Sequence, residues 1–205
     1  MKEEQLGTYM LRWPEGVFPL GADALELGGF ATVRPRWRVC DLGCGSGALL
    51  LLLARRQADL SLTGVELDGL SADTARENLV RNGLAGNILR EDLRVCSLPA
   101  GQFDLVISNP PYFAVGSGTS GGKARCEEAC PLQELCRTAA RLLKNGGRFA
   151  LCHRPERLCD VMVTLRACGL EPKRIRLCAH DEQHPPYLVL LEAVRQGKPG
   201  LAFER

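Results

Sequence analysis

Arg38-Val39-Cys40-Asp41-Leu42-Gly43-Cys44-Gly45-Ser46-Gly47-Ala48 is a short apolar strand that runs straight into a loop with glycine at every second position. The leucine-rich stretch after it, Ala48 to Arg56, reads as a buried helix. Glycines at 43, 45 and 47 let the backbone pass close to a ligand, and the helix turns its first N–H groups toward whatever lies there. Strand, glycine loop and helix in this order open an α/β fold with a nucleoside-type cofactor at its first turn. Gly43-x-Gly45-x-x-Ala48 fits the dinucleotide fingerprint as well, so the loop leaves a dinucleotide and other nucleoside-type cofactors both open.

The pattern continues on both sides of this unit. Upstream, Tyr9 to Trp13 reads as a short extended piece, and a short helix opens at Gly21-Ala22-Asp23 and ends near Gly28-Gly29. Downstream, Leu60 to Glu66 is a second strand. Leu70 to Asn82 is an amphipathic helix with Leu70, Ala75, Leu79 and Val80 expected on its buried side and Gly83 as its stop. Strands are expected at Asn87 to Leu89 and Phe103 to Ser108, then a helix from about Pro131 to Leu143 that Asn145-Gly146-Gly147 terminates. Arg148 to Cys152 is a further strand, Arg157 to Cys168 a helix, and Lys173 to Cys178 and Tyr187 to Ala193 close the sheet. Alternating strands and helices of this length imply βαβ units in a doubly wound sheet.

With 205 residues and 45% hydrophobic content, the chain fits one three-layer domain. No apolar run reaches the ~18 residues of a membrane span. Met1 is followed by Lys2-Glu3-Glu4-Gln5 rather than by the apolar stretch of a signal peptide, so the cytoplasm is the expected location. Ten scattered cysteines without a C-x-x-C pair read mainly as small buried hydrophobes. The spacing of Cys126, Cys130 and Cys136 matches neither zinc pairs nor iron–sulfur runs, so no metal is expected. Charge is uneven: residues 123–205 carry 15 Lys and Arg against 10 Asp and Glu. A basic half can meet a phosphate backbone, although charge alone does not demand it.

The second constellation is Asn109-Pro110-Pro111-Tyr112, placed where the strand Phe103 to Ser108 leaves the sheet. Asn109 and Pro110 each precede a proline, which stiffens two successive backbone units. The Asn109 side-chain oxygen and the Pro110 carbonyl can take the two hydrogens of one planar amino group, while Tyr112 offers a ring face to the flat system that carries it. Beside it, Val115 to Gly122 is rich in glycine and serine and reads as either a neutral surface loop or a lid that orders over substrate, its position favouring the lid. Acids follow the first three strands in turn, at Asp41, Glu66 and Glu91-Asp92. His153, His180 and His184 are spread through the last third, with surface or structural roles expected.

Asp41-Leu42-Gly43-Cys44-Gly45-Ser46-Gly47, Glu66, Asp92 and Asn109-Pro110-Pro111-Tyr112 together resemble the successive motifs of class I S-adenosylmethionine-dependent methyltransferases that act on amino nitrogens. Gly21-Ala22-Asp23-Ala24, His153-Arg154-Pro155-Glu156-Arg157 and Leu190-Leu191-Glu192-Ala193-Val194-Arg195 extend the likeness to the bacterial tRNA1(Val) adenine-37 methyltransferase family. The resemblance implies a Rossmann-like fold over residues 1–205, with a seven-stranded, mostly parallel sheet and an antiparallel C-terminal strand. Residues 1–35 would form an N-terminal cap segment, 36–194 the catalytic core and 195–205 a tail.

It further implies S-adenosylmethionine as cofactor, with Asp41, Leu42, Gly43, Cys44, Gly45 and Gly47 around its methionine part and Glu66 with Leu67 at its ribose. Asp92 with Leu93 would lie at its adenine, and Asn109 to Tyr112 would be the catalytic clamp, with Asn109 also lining the cofactor site. Asp23 would cap its helix or help close the cofactor site. The implied partner is tRNA, bound by a monomer. Accepting both hydrogens of an adenine amino group favours a pyramidal nitrogen whose lone pair can face the sulfonium methyl, so positioning supplies most of the catalysis. Tyr112 would stack on the target base, for roughly 1–3 kcal/mol. Three other readings stay open: a release-factor glutamine methyltransferase, a ribosomal RNA guanine methyltransferase, and a non-catalytic cofactor-binding protein. The first usually has an N-terminal helical domain, for which the residues ahead of the first strand are expected to leave no room.

Overall fold

The computed structural model describes residues 1–110, 131–181 and 183–204. Expectations for Pro111, Tyr112, the glycine-serine run 115–122, Cys126 and Cys130 lie outside the described residues. Arg38–Leu42 is β3, and Ala48–Arg56 is α2, as the opening stretch predicts. The five leucines Leu49 to Leu53 are all buried, because α2 lies between the sheet on one side and α1 (Ala22–Phe30) with β2 (Tyr9–Trp13) on the other. A helix apolar all round has no solvent face to lose.

The main sheet has eight strands. β3 is flanked on one side by β4 (Ser61–Glu66) and β5 (Gly86–Arg90), and on the other by β6 (Phe103–Ser108), β7 (Leu143–His153), β9 (Leu188–Arg195), β8 (Leu170–Cys178) and β10 (Ala202–Glu204). Neighbours are parallel except for β9, which runs antiparallel to both β7 and β8. The chain steps outward from β3 through β4 to β5 and then restarts at β6 in the opposite direction. The strand order therefore reverses between β3 and β6, and a crevice opens there at the strands' carboxyl ends.

Alternating residues of each strand feed two cores. Val39, Leu105, Ile107, Ala150 and Cys152 face α1, α2 and α3 (Gly69–Arg81), while Cys40, Leu42, Val106, Phe149 and Leu151 face α4 (Leu132–Leu142) and α5 (Leu158–Ala167).

Three expectations need correction. The segment 195–205 is not merely a tail, since Ala202–Glu204 adds the eighth strand parallel to β8. Asn145-Gly146-Gly147 does not separate α4 from the next strand, because β7 begins at Leu143, directly after the helix. On α3 the buried face is Ala72, Thr74, Ala75, Asn78 and Leu79, whereas Val80 is 78% exposed and Leu70 49%. Val80 lies about 100° around the helix from Leu79, past the edge of the buried stripe. The extended piece Tyr9–Trp13 is found as expected, and it pairs in a hairpin with β1 (Lys2–Leu6).

That hairpin is tied down by two amides. Asn78 accepts from Arg12 N at 3.0 Å and donates to Arg12 O at 2.8 Å, and Asn82 does the same for Met10 at 2.8 and 2.9 Å. The pair on α3 thus mimics a neighbouring strand for β2. Asn78 also donates to Ser46 O at 3.0 Å, which fastens the glycine loop to the same helix.

Candidate active site

The glycine loop leaves β3 under hydrogen bonds from Gly43 N and Cys44 N to Val65 O, and it closes with Gly47 N to Cys44 O at 2.8 Å. Gly43, Gly45 and Gly47 all have positive φ, at 76°, 53° and 81°, a region that favours glycine. Cys44 turns inward onto β4, where Gly64 makes room: a Cβ on Gly64 would come within 2.6 Å of Cys44 Sγ. Burial pushes the Cys44 thiol well up, with Asp41 and Glu66 adding to the shift, so Cys44 packs as a neutral side chain.

Asp41 is fully buried, and neither carboxylate oxygen has a hydrogen-bond partner among the described residues. Burial, with Glu66 second, holds its carboxyl well above the usual range. A buried acid without a donor is costly, and the arrangement suits a ligand that brings its own N–H donors and positive charge.

Glu66, at the end of β4, accepts from Gly45 N at 2.8 Å on one oxygen and from Asp68 N at 2.9 Å on the other. Each oxygen keeps a further lone pair for a pair of hydroxyls. Leu67 is exposed next to it, and Asp68 caps α3 through Ser71 N at 2.8 Å. These donors and acceptors fit the amino acid and ribose parts of S-adenosylmethionine.

Asp92 is placed at the end of β5, as expected, but it faces Arg94. Its oxygens accept from Arg94 N and Nε at 2.9 Å and from Arg94 Nη2, and these bonds hold its carboxyl below the usual range. Asp92 also caps the turn Leu93–Val95. Glu91 points away to Ser97, accepting from its N and Oγ at 2.7 Å.

On the other side of the crevice, Ser108 Oγ donates to Leu42 O at 2.7 Å inside the protein. This bond stitches the end of β6 to the end of β3 and places Asn109 beside Gly43. Asn109 Oδ1 accepts from Cys152 Sγ at 3.0 Å, and Pro110 is buried. Cys152 is fully buried, and burial followed by the Asp23 charge pushes its thiol well up, so the sulfur keeps its proton and donates. Asp23 does not cap α1, whose N-cap is Gly21.

Residue types alone could not disclose Cys152, Ser108 and Gly64, which matter through contacts across strands. The pattern did contain one signal: Cys152 shares strand alternation with Ala150 on the α1 side. His153 is buried and its Nδ1 accepts from Arg154 N at 2.9 Å. A groove of about 430 Å³ lined by Arg38, Ser61, Asn87 and Gln102 lies at the opposite, amino-terminal edge of β3 to β5. Topology and the orphaned acid favour the carboxyl edge as the site.

Residues 30–164 match the model of the family described as Methyltransferase small domain. The chain is 32% identical over 181 residues to a tRNA1(Val) (adenine(37)-N6)-methyltransferase of Porphyromonas gingivalis, covering 80% of this chain and 70% of that one. It is 35% identical over 136 residues to the protein of the same name from Aeromonas hydrophila, covering 64% of this chain and 58% of that protein. Among solved structures, a predicted O-methyltransferase from Agrobacterium tumefaciens superposes with a TM-score of 0.73 at 22% identity, over 88% of this chain and 84% of that one, a likeness of fold.

Proposed function

The chain belongs to the methyltransferase small domain family and, within it, to the tRNA1(Val) (adenine(37)-N6)-methyltransferases, and from that premise we propose that it methylates the exocyclic 6-amino group of adenine in RNA, at adenosine 37 in the anticodon loop of tRNA(Val). S-adenosylmethionine supplies a methyl already activated by its sulfonium. The chain's residues bind and orient. Asp41 receives the ammonium of the methionine part, and Glu66, held by Gly45 N and Asp68 N, receives the ribose hydroxyls. Asp92 and Leu93 would hold the adenine end, with Asp92 sharing its lone pairs between Arg94 and the cofactor's amino group.

Asn109 Oδ1 and the Pro110 carbonyl accept the hydrogens of the target amino group, and the following Pro111-Tyr112 completes the clamp, with Tyr112 stacked on the base. No group need remove a proton before methyl transfer, because the lone pair of a pyramidal nitrogen attacks and the proton leaves afterwards. The observation that supports this reading is the Ser108 to Leu42 bond, which ties the end of β6, where the backbone enters Asn109, to the end of β3, where it enters the glycine loop. An anticodon loop suits such a site, since its bases are splayed out at lower cost than from a duplex.

The test is incubation with methyl-labelled cofactor and, separately, unmodified tRNA, ribosomal RNA and a release factor, followed by nucleoside mass spectrometry. Label in N6-methyladenosine of tRNA is expected. Label in the release factor alone, or in guanine of ribosomal RNA, would overturn the substrate.

A further inference from the structure

We propose that the stacked rings of His180 and Tyr187 form a platform for a second base of the RNA, the neighbour of the methylated adenine, which lies on the open face of His180. The proposal rests on the RNA reading above. The two residues flank the connection from β8 to β9, whose base is closed by Tyr187 N donating to Cys178 O at 2.9 Å. Their ring centroids are 4.7 Å apart at an interplanar angle of 21°. Tyr187 packs on the core shared with α1, whereas His180 is exposed. One ring is therefore anchored and the other presents a flat face outward. Asp181 Oδ1 accepts from Gln183 N at 2.9 Å and from His184 N at 3.1 Å, and it lies 2.7 Å from His184 Nδ1, so the loop tip bonds to itself.

The platform lies on the correct edge and the correct face. β8 runs in the same direction as β7 and β6, so its end at Cys178 shares the edge that carries Asn109. From β6 to β8, whose end leads into His180, is three strand spacings, roughly 15 Å. That is within reach of an adjoining nucleotide in a splayed loop.

Cys152, which donates to Asn109, belongs to the same core layer as Cys178, Leu188 and Tyr187. The Asp23 carboxylate on α1 acts on both ends of this line. It contributes to the raised Cys152 thiol and, after burial, Cys178 and Glu26, to the raised Tyr187 phenol. A ring face takes any base, so the platform would fix the strand's path without reading its sequence.

The test is steady-state methylation of unmodified tRNA1(Val) transcript by the full chain. His180→Ala should raise KM for the RNA roughly 5- to 100-fold, with kcat and cofactor Kd unchanged, and His180→Trp should restore it. A transcript lacking the base on one side of the target should cost the wild type a similar factor and cost His180→Ala little more. An unchanged KM in His180→Ala, or equal further losses in both proteins on the abasic transcripts, would overturn the platform. A wild type that methylates no RNA would instead overturn the substrate reading itself, and the platform with it.

Discussion

Among the described residues, two carboxylates are fully buried, and they meet opposite fates. Glu192 on β9 is ringed by donors: Thr32 N at 2.7 Å, Thr32 Oγ1 at 3.0 Å, Arg148 Nη1 at 2.5 Å and Arg174 Nη1 at 3.0 Å. Arg174 continues to Glu204 at 2.6 Å and lies 4.5 Å from the Phe30 ring centre. The network thus joins β7, β8, β9, β10 and the end of α1. Asp41 on β3 has no such ring among the described residues. Folding supplies the partners of Glu192 and leaves those of Asp41 to a ligand. The first acid locks the far half of the sheet, and the second marks the site.

The contrast can be broken most forcefully at the lock. Glu192→Ala leaves two arginines facing each other without their anion, and loss of one partner of a buried pair costs about 3 kcal/mol or more. The melting temperature should fall by about 6–12 °C, read by thermal denaturation, while cofactor affinity of the folded protein stays as it was. Asp41→Asn should do the reverse. Cofactor Kd should rise roughly 10- to 100-fold, the worth of about 1.5–3 kcal/mol for a hydrogen bond to a charged group, with no loss in melting temperature. Calorimetry and melting on the same sample check both halves.

A smaller effect is pH dependence. Because the folded pKa of Asp41 is raised, the folded state holds the proton that the unfolded state has released, so this residue's contribution to stability is full below the unfolded pKa. It is lost as pH rises through the folded value. Asp41→Asn should flatten that slope. Under the proposed assignment the ammonium of the cofactor pairs with the charged carboxylate, so binding should release a proton in the same window, measurable by calorimetry in buffers of different ionisation heat. The smallest effect is expected at Cys152. Cys152→Ala removes one bond to Asn109 and should lower kcat about fivefold, the worth of about 1 kcal/mol, and Cys152→Ser should recover it.

How much of this was legible follows the same division. β3 and β6 match their sequence boundaries because each is an apolar run that stops at Gly43 or at Asn109-Pro110, and α2 matches because its leucine run opens directly after Gly47 and closes on Arg55-Arg56. β1 was hidden, since Lys2 to Gln5 are exposed and show no apolar alternation, and the hairpin is held by amides on a distant helix. β10 was hidden for a similar reason: three residues with Phe203 exposed carry no period, and only pairing with β8 makes them a strand. The positions of Asp41, Glu66 and Asn109 near the carboxyl ends of β3, β4 and β6 were legible because the apolar runs stop there. The Arg94 grip on Asp92 and the Cys152 bond to Asn109 were not, because side-chain pairing within a turn or between strands leaves no spacing to read.

The central claim is that Asn109 serves chiefly to hold the target amino group and contributes little to cofactor affinity. It is tested most directly by Asn109→Ala, with cofactor Kd from calorimetry set beside turnover on unmodified tRNA. Turnover should fall by at least about 100-fold while Kd moves less than about twofold. Equal loss of cofactor binding and of turnover would contradict the assignment.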